Sequence, residues 1–244
     1  MASSFKVLNG RLKIHDLVDR NVVHLEEYLK IYADHLPQYA RYTPLMCQRA
    51  MKPIEAHALE RWHQWLVMLD GEPAAMVGFL YNRKRNLGIL MDFAVVEVFR
   101  DLEVPEQGRF AGMLLHLAME QLKQDAAASG YATPLCMAAE VEHAPLVERY
   151  QEYGFVEFPI MYYEPPGTPE LASIVESKNL EEIGYRRLHL GAFRIPGGNN
   201  VLSDDTNLID IIIRALLKDH YQLSENHWLL ERILRSIYLG DAQP

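Results

Sequence analysis

The stretch from Gly88 to Phe155 most constrains what this chain can fold into. It reads as an apolar strand over Gly88–Phe99, then an acidic loop closed by Gln107-Gly108-Arg109 and a helix over about Phe110–Ser129. A second strand over Tyr131–Ala139 follows, and then a short helix ending in Arg149-Tyr150-Gln151-Glu152-Tyr153-Gly154-Phe155. A strand, a helix and a second strand of the same direction make a βαβ unit. The loop leaving the first strand turns backbone N–H groups and a helix N-terminus toward whatever binds there, a disposition suited to phosphate.

Strand and helix signals elsewhere set this unit in a mixed sheet. Residues 5–14 alternate around Asn9-Gly10 and predict a short hairpin or first strand. Helical spacing of Val22, Val23, Leu25, Tyr28, Leu29 and Tyr32 predicts a helix over Asp19–Asp34, and Pro53 in a first turn predicts a second over about Pro53–Trp62. Asp70-Gly71 joins two apolar runs, Gln64–Leu69 and Pro73–Tyr81, into a hairpin, and the polar loop Asn82–Asn86 leads into Gly88. Phe155–Tyr163 and Tyr185–Ile195 read as the last strands, with a short helix near Pro169–Glu176 between them. Beyond Pro196-Gly197-Gly198, two helices with broad apolar faces are expected, over about Thr206–Asp219 and from a cap at Ser224 onward. The expected organisation is an α/β domain over 1–195, with a linker and C-terminal helical hairpin over 196–244. A hairpin that apolar packs on the domain or on a second copy as a homodimer.

Composition excludes several classes. With 24 Lys and Arg against 33 Asp and Glu, the formal charge of -9 argues against nucleic acid and anionic membrane as partners. The longest apolar run, Leu208–Leu217, is broken by Asp210 and Arg214, well short of the roughly 20 residues of a membrane span. Met1–Lys6 lacks an apolar core, so no secretory signal is expected and the location reads as cytoplasmic. Cys47 and Cys136 lack a CxxC context and read as free thiols. The ten histidines show no HExxH or other ligand spacing, and neither G-x-S-x-G nor a P-loop occurs, so no metal, hydrolase or nucleotide triphosphate chemistry is expected.

The order of elements, Ile89-Leu90-Met91-Asp92-Phe93-Ala94-Val95-Val96 before the Gly/Arg turn, and the ending Tyr150-Gln151-Glu152-Tyr153-Gly154-Phe155 resemble the GNAT superfamily of acyl-CoA-dependent N-acyltransferases over roughly Leu12–Phe193. The resemblance implies a mostly antiparallel, twisted sheet with a central splayed parallel strand pair, and acetyl-CoA or another acyl-CoA as co-substrate. The family's phosphate-loop pattern fits in two registers. Anchored on Arg109 it matches Gly112 but ends on Leu114; anchored on Leu114-Leu115 it ends on Ala111 but meets Arg109 where glycine is expected. By this likeness Gln107, Gly108, Arg109, Phe110, Ala111 and Gly112 cradle the diphosphate, main-chain N–H groups of Val95 and Val96 hold the pantetheine and the thioester carbonyl, and His143 stands where the family commonly has a cofactor-touching Asn. Tyr150 falls where the family often places the phenol that protonates the thiolate; as a residue it reads equally as a packed aromatic.

Acyl transfer also needs a base for the amine. Glu140 at a strand end and Asp92 inside an apolar strand are the candidates, each with the alternative of a structural hydrogen-bond partner. The connection between the first two helices shapes the acceptor pocket in the family, making Tyr39, Tyr42 and Trp62 candidate wall residues. The reading is an N-acyltransferase acting on a small-molecule amine by direct attack in a ternary complex. The alternative is an inactive GNAT-fold ligand-binding or dimerisation module.

Overall fold

The computed structural model describes residues 10–55, 58–166, 184–198 and 200–239. The fold is mixed α/β, with a mostly antiparallel sheet that carries one parallel pair. The chain forms two compact units, Met1–Pro134 and Leu135–Pro244.

In the first unit the described strands are β1 (Leu12–Asp16), β2 (Glu60–Leu69), β3 (Glu72–Asn82) and β4 (Leu87–Val95), paired antiparallel in that order. The β2–β3 turn is the one the sequence asks for: Asp70 and Gly71 both take positive φ, 52° and 89°, and Leu69 pairs with Glu72 across it. Helices α1 (Leu25–His35) and α2 (Thr43–Met51) cover one face, where Tyr28, Tyr32 and Met46 pack with Leu66, Met76 and Ala94. A small hairpin of β5 (Glu103–Val104) and β6 (Gly108–Arg109) leads into α3 (Phe110–Ala128), which ends before Gly130 at φ 87°. Strand β4 and α3 are close-packed: a Cβ on Gly88 would collide with Leu122.

A buried histidine ties this unit together. His63 of β2 lies between the carboxylates of Asp16 in β1, 2.6 Å from Nδ1, and Asp125 in α3, 2.9 Å from Nε2, with its ring stacked on Phe79 at 4.8 Å. Two carboxylates on two ring nitrogens require both to be donors, which is the imidazolium. Burial opposes that charge, but the hydrogen bonds to Asp125 and Asp16 outweigh it and raise the pKa to about 9.

The second unit holds β7 (Met137–Val141), α4 (Ala144–Gln151), β8 (Phe155–Glu157), β9 (Tyr162–Glu164) and β10 (Arg186–Phe193); β10 pairs antiparallel with β7, β8 and β9. Then come α5 (Thr206–Ile213), extended by a π-helical segment over Arg214–His220, and α6 (Trp228–Leu239). Asp205 caps α5 by accepting the Leu208 N–H at 3.0 Å. Leu208, Ile212, Leu216, Leu229, Leu230 and Ile233 are buried within the chain.

Several expected boundaries move. No helix runs over Pro53–Trp62: α2 lies earlier, with Pro44 in its first turn, and Lys52, held extended at ψ 149° before Pro53, ends it. Trp62 belongs to β2. The expected strand over Tyr131–Ala139 shortens to β7, that over Phe155–Tyr163 divides into β8 and β9, and that over Gly88–Phe99 ends at Val95 before a 3-10 turn at Glu97–Phe99. Helix α6 starts at Trp228 rather than at Ser224. The expected helix near Pro169–Glu176 and the first arm of the expected N-terminal hairpin lie outside the described residues. Among the described residues both cysteines are free; Cys136 is buried, which pushes its thiol up to about 12, and Cys47 is half-buried. No described helix is long and apolar enough to cross a membrane.

Candidate active site

The candidate residues divide between the units. Asp92, Val95, Val96 and the 107–112 turn lie in the first, and Glu140, His143 and Tyr150 in the second.

At the end of β4 the hydrogen-bond pattern decides which amides face outward. The Val96 N–H donates to the Ala74 carbonyl at 2.9 Å, so Val95, opposite Ala75, is the non-hydrogen-bonded partner and turns its N–H away from β3. The Val95 carbonyl, on that same edge, accepts from Arg100 Nε at 3.2 Å. A bulge at Met91, the extra residue between the pairs Gly78↔Asp92 and Phe79↔Leu90, precedes this end of the strand.

In the 107–112 turn some amides are spent. Gln107 N–H donates to the Val104 carbonyl at 3.0 Å and Phe110 N–H to the Leu102 carbonyl at 2.8 Å. Arg109 pairs with Glu103 in the alternate, non-hydrogen-bonded position, which directs its N–H away from β5. Ala111 and Gly112 occupy the first turn of α3, where N–H groups precede the first intrahelical bond. Gly108, at φ 75°, makes the turn, and no side chain caps the helix. The outward amides include those of Ala111 and Gly112, fewer than the whole turn that the sequence suggests.

On the α1/α2 face of the same unit, Gln64, Gly78 and Asp92 stand directly across from one another on β2, β3 and β4, so their side-chain positions form one row. Gly78 leaves its place in the row empty. A Cβ there would stand 3.1 Å from Asp92 Oδ2 and 3.3 Å from the Tyr28 hydroxyl. Tyr28 is 0% exposed and Gln64 1%, and among the described residues neither the Tyr28 hydroxyl nor Gln64 Oε1 has a hydrogen-bond partner, although Gln64 Nε2 donates to the Leu17 and Met46 carbonyls. Orphan polar atoms this deep are uncommon, and in a native protein they point to a role outside stability. Burial, then the charge of Asp92, raises the Tyr28 phenol well above its ordinary range. The Arg49 guanidinium stands over the Trp62 ring at 3.2 Å; burial lowers its pKa, with the charge of Asp92 working against that. Tyr39 and Tyr42, 6.3 Å apart, stack nearby in sequence after α1, and Tyr32 donates to the Tyr39 carbonyl at 2.9 Å. Because the Tyr28 hydroxyl has no partner to lose among the described residues, Tyr28→Phe is expected to leave the unfolding temperature unchanged or raise it. A drop of several degrees in a thermal melt would show that the hydroxyl is structurally engaged.

In the second unit, Glu140 of β7 is held by two phenols. Oε1 accepts from the Tyr162 hydroxyl, and Oε2 accepts from the Tyr221 hydroxyl at 2.7 Å. Burial and the neighbouring Glu164 raise its pKa to about 7, against the lowering effect of the hydrogen bonds from Tyr162 and Tyr221. Arg186 binds Glu164 and, at 2.8 Å, Glu142. Tyr150 packs edge-on against Phe193 at 5.4 Å and Phe155 at 6.0 Å, and burial raises its phenol. That keeps it protonated across the working pH range. His143 starts α4 without capping it and is exposed beside Glu142. Among the described residues no group of three or more His, Cys, Asp or Glu is placed to hold a metal ion.

Sequence reading missed Tyr28, Gln64, Tyr162 and Tyr221. The unbroken burial of β2 and β3 hides Gln64 and Gly78 in an apolar run, and no spacing signal links Tyr221 to a carboxylate 81 residues earlier.

No family model and no curated protein matches the sequence. Solved structures do match. The chain is similar in fold to GNAT acetyltransferases. One is a Bacteroides thetaiotaomicron protein assigned to the GNAT family, 14% identical, covering 87% of this chain and 99% of that one, with a TM-score of 0.47. Another is an acetyltransferase of Streptococcus agalactiae, 11% identical over 75% of this chain and 98% of that one, at 0.46. A third is the ribosomal-protein-S18-alanine N-acetyltransferase of Escherichia coli, 16% identical over 75% and 94%, at 0.44. Identities and scores of this size are likeness of fold; the case for function rests on the residues themselves.

Proposed function

We propose that the chain is an N-acyltransferase that passes an acyl group from acetyl-CoA, or another acyl-CoA, to the primary amine of a small-molecule acceptor by direct attack in a ternary complex. The observation that carries this reading is the end of β4, where the Val95 N–H is turned off the β3 ladder just before the chain enters the turn to α3. A main-chain donor so placed is what a pantetheine or thioester carbonyl requires. The diphosphate is assigned to the N–H groups of Ala111 and Gly112.

Proton transfer is assigned to the second unit. Glu140, with a pKa raised to about 7, is ionised enough near neutrality to take a proton from the ammonium form of the acceptor. The amine nitrogen then bonds to the carbonyl carbon, the C–S bond breaks, the leaving sulfur receives a proton from Tyr150, and the proton that the nitrogen sheds on becoming an amide restores the Tyr150 phenol.

The amides of Gln107 and Phe110, spent on Val104 and Leu102, favour a second reading, a GNAT-fold module without turnover. A thermal titration separates the two. Acetyl-CoA at about 100 times its Kd stabilises a binder by about 2.7 kcal/mol, a rise of several degrees in the melt. No shift at millimolar coenzyme would sink the acyltransferase reading.

A further inference from the structure

The hydrogen bond from Tyr221 to Glu140 joins the C-terminal helices to the carboxylate that the acyltransferase reading uses as base, and the backbone around Tyr221 is built to deliver it. Helix α5 runs into seven residues of π-helix, Arg214–His220, and the Tyr221 N–H closes on the Leu216 carbonyl at 2.8 Å. A π turn carries an extra residue, re-aims the side chain that follows it, and is concentrated at functional sites. Gln222 next takes φ 59°, an uncommon conformation for a residue other than glycine, and the chain turns away immediately. Glu225 then binds both Arg214, at 2.5 Å, and Lys218, pinning the π turn on either side.

The groups facing Glu140 come from several elements. Tyr162 and Glu164 approach from β9, and Leu190 of β10 sits directly across the ladder. Arg186 of β10 is engaged by Glu164 and Glu142, and His220 and Tyr221 come from the C-terminal segment. Tyr162 alone would leave one carboxylate oxygen without a phenol. With Tyr221 both oxygens are fixed, and each keeps a lone pair for a proton.

We propose that Tyr221 is a positioning residue: the C-terminal helices, through its hydroxyl, hold Glu140 in one orientation and keep it ionised, which makes them a working part of the catalytic centre. The claim rests on the acyltransferase reading for what Glu140 does in turnover, but not for the coupling between Tyr221 and Glu140. A hydrogen bond to the ionised form favours that form, so its loss moves the titration upward.

The test is the ¹³C carboxyl titration of Glu140 in the full chain, assigned with Glu140→Gln and repeated in Tyr221→Phe and in Tyr238→Phe, a tyrosine of α6 that does not bind Glu140. Tyr221→Phe is expected to raise the midpoint by about one pH unit, and Tyr238→Phe to leave it in place. Where turnover is measurable, the acid limb of kcat should move by the same amount. Tyr162→Phe removes the other donor and gives the same direction should Tyr221→Phe not fold. An unchanged midpoint with a lowered melting temperature would make Tyr221 a structural clamp and overturn the proposal. A shifted midpoint with an unshifted kcat limb would overturn its catalytic part. A wild-type chain without turnover would sink the acyltransferase reading alone, with the titration still deciding the coupling.

Discussion

Replacing His63 with alanine is expected to cost about 3–5 kcal/mol of folding stability, because it strips the cation from two carboxylates, one of them buried. Asp125 is 1% exposed and would keep, among the described residues, Arg61, at 3.2 Å, and Gln121 as partners, while Asp16 would keep its bond from the Gln64 N–H. Against a typical total of about 5–15 kcal/mol, that loss is a large fraction. Denaturant unfolding of wild type and variant at neutral pH measures it; a difference below about 1 kcal/mol would mean that the His63 imidazole is not charged in the folded chain. The same residue sets a pH dependence. Its folded pKa, raised to about 9, exceeds the unfolded value of about 6.5, so the proton it holds contributes its full stability below about pH 6.5. That contribution falls as pH rises and is gone above about 9. The difference of roughly 2.5 units corresponds to about 3 kcal/mol. Wild-type stability should therefore decline across this window, and His63→Ala should flatten the decline.

The second large effect concerns turnover. Glu140→Gln keeps the size of the side chain and an oxygen for one of the two phenols, but cannot accept a proton. On the acyltransferase reading kcat should fall by on the order of 10²–10⁴. The wild-type profile should show an acid limb near pH 7, where the carboxyl, raised by burial and Glu164, ionises. Activity requires the ionised form, so kcat rises through that pH and the limb disappears in the variant. Full turnover in Glu140→Gln, read by coenzyme release with a primary amine, would remove Glu140 from the reaction.

The fold was legible where one local signal dominates. Asp70-Gly71 dictates the β2–β3 hairpin, the apolar spacing of Phe110, Met113, Leu114, Leu117 and Leu122 dictates α3, and Gly130 stops it. It was misread where two signals of equal strength compete. Pro44 and Pro53 each suit a first helical turn, and only the burial of Met46 and Ala50 selects the former. In the site, Glu140 could be singled out as a strand-end carboxylate, but its two phenols arrive from β9 and from the π-helical segment. Long-range partners leave no periodic trace in sequence. Orphan atoms such as the Tyr28 hydroxyl exist only once packing is known.

The burial of Cys136 has a practical consequence for any assay that detects liberated thiol. With its sulfhydryl pushed up to about 12 and sealed from solvent, that residue stays silent toward disulfide and alkylating reagents at neutral pH. The background per chain then comes from Cys47 at most, a fixed stoichiometric burst that is complete before steady release of product is read.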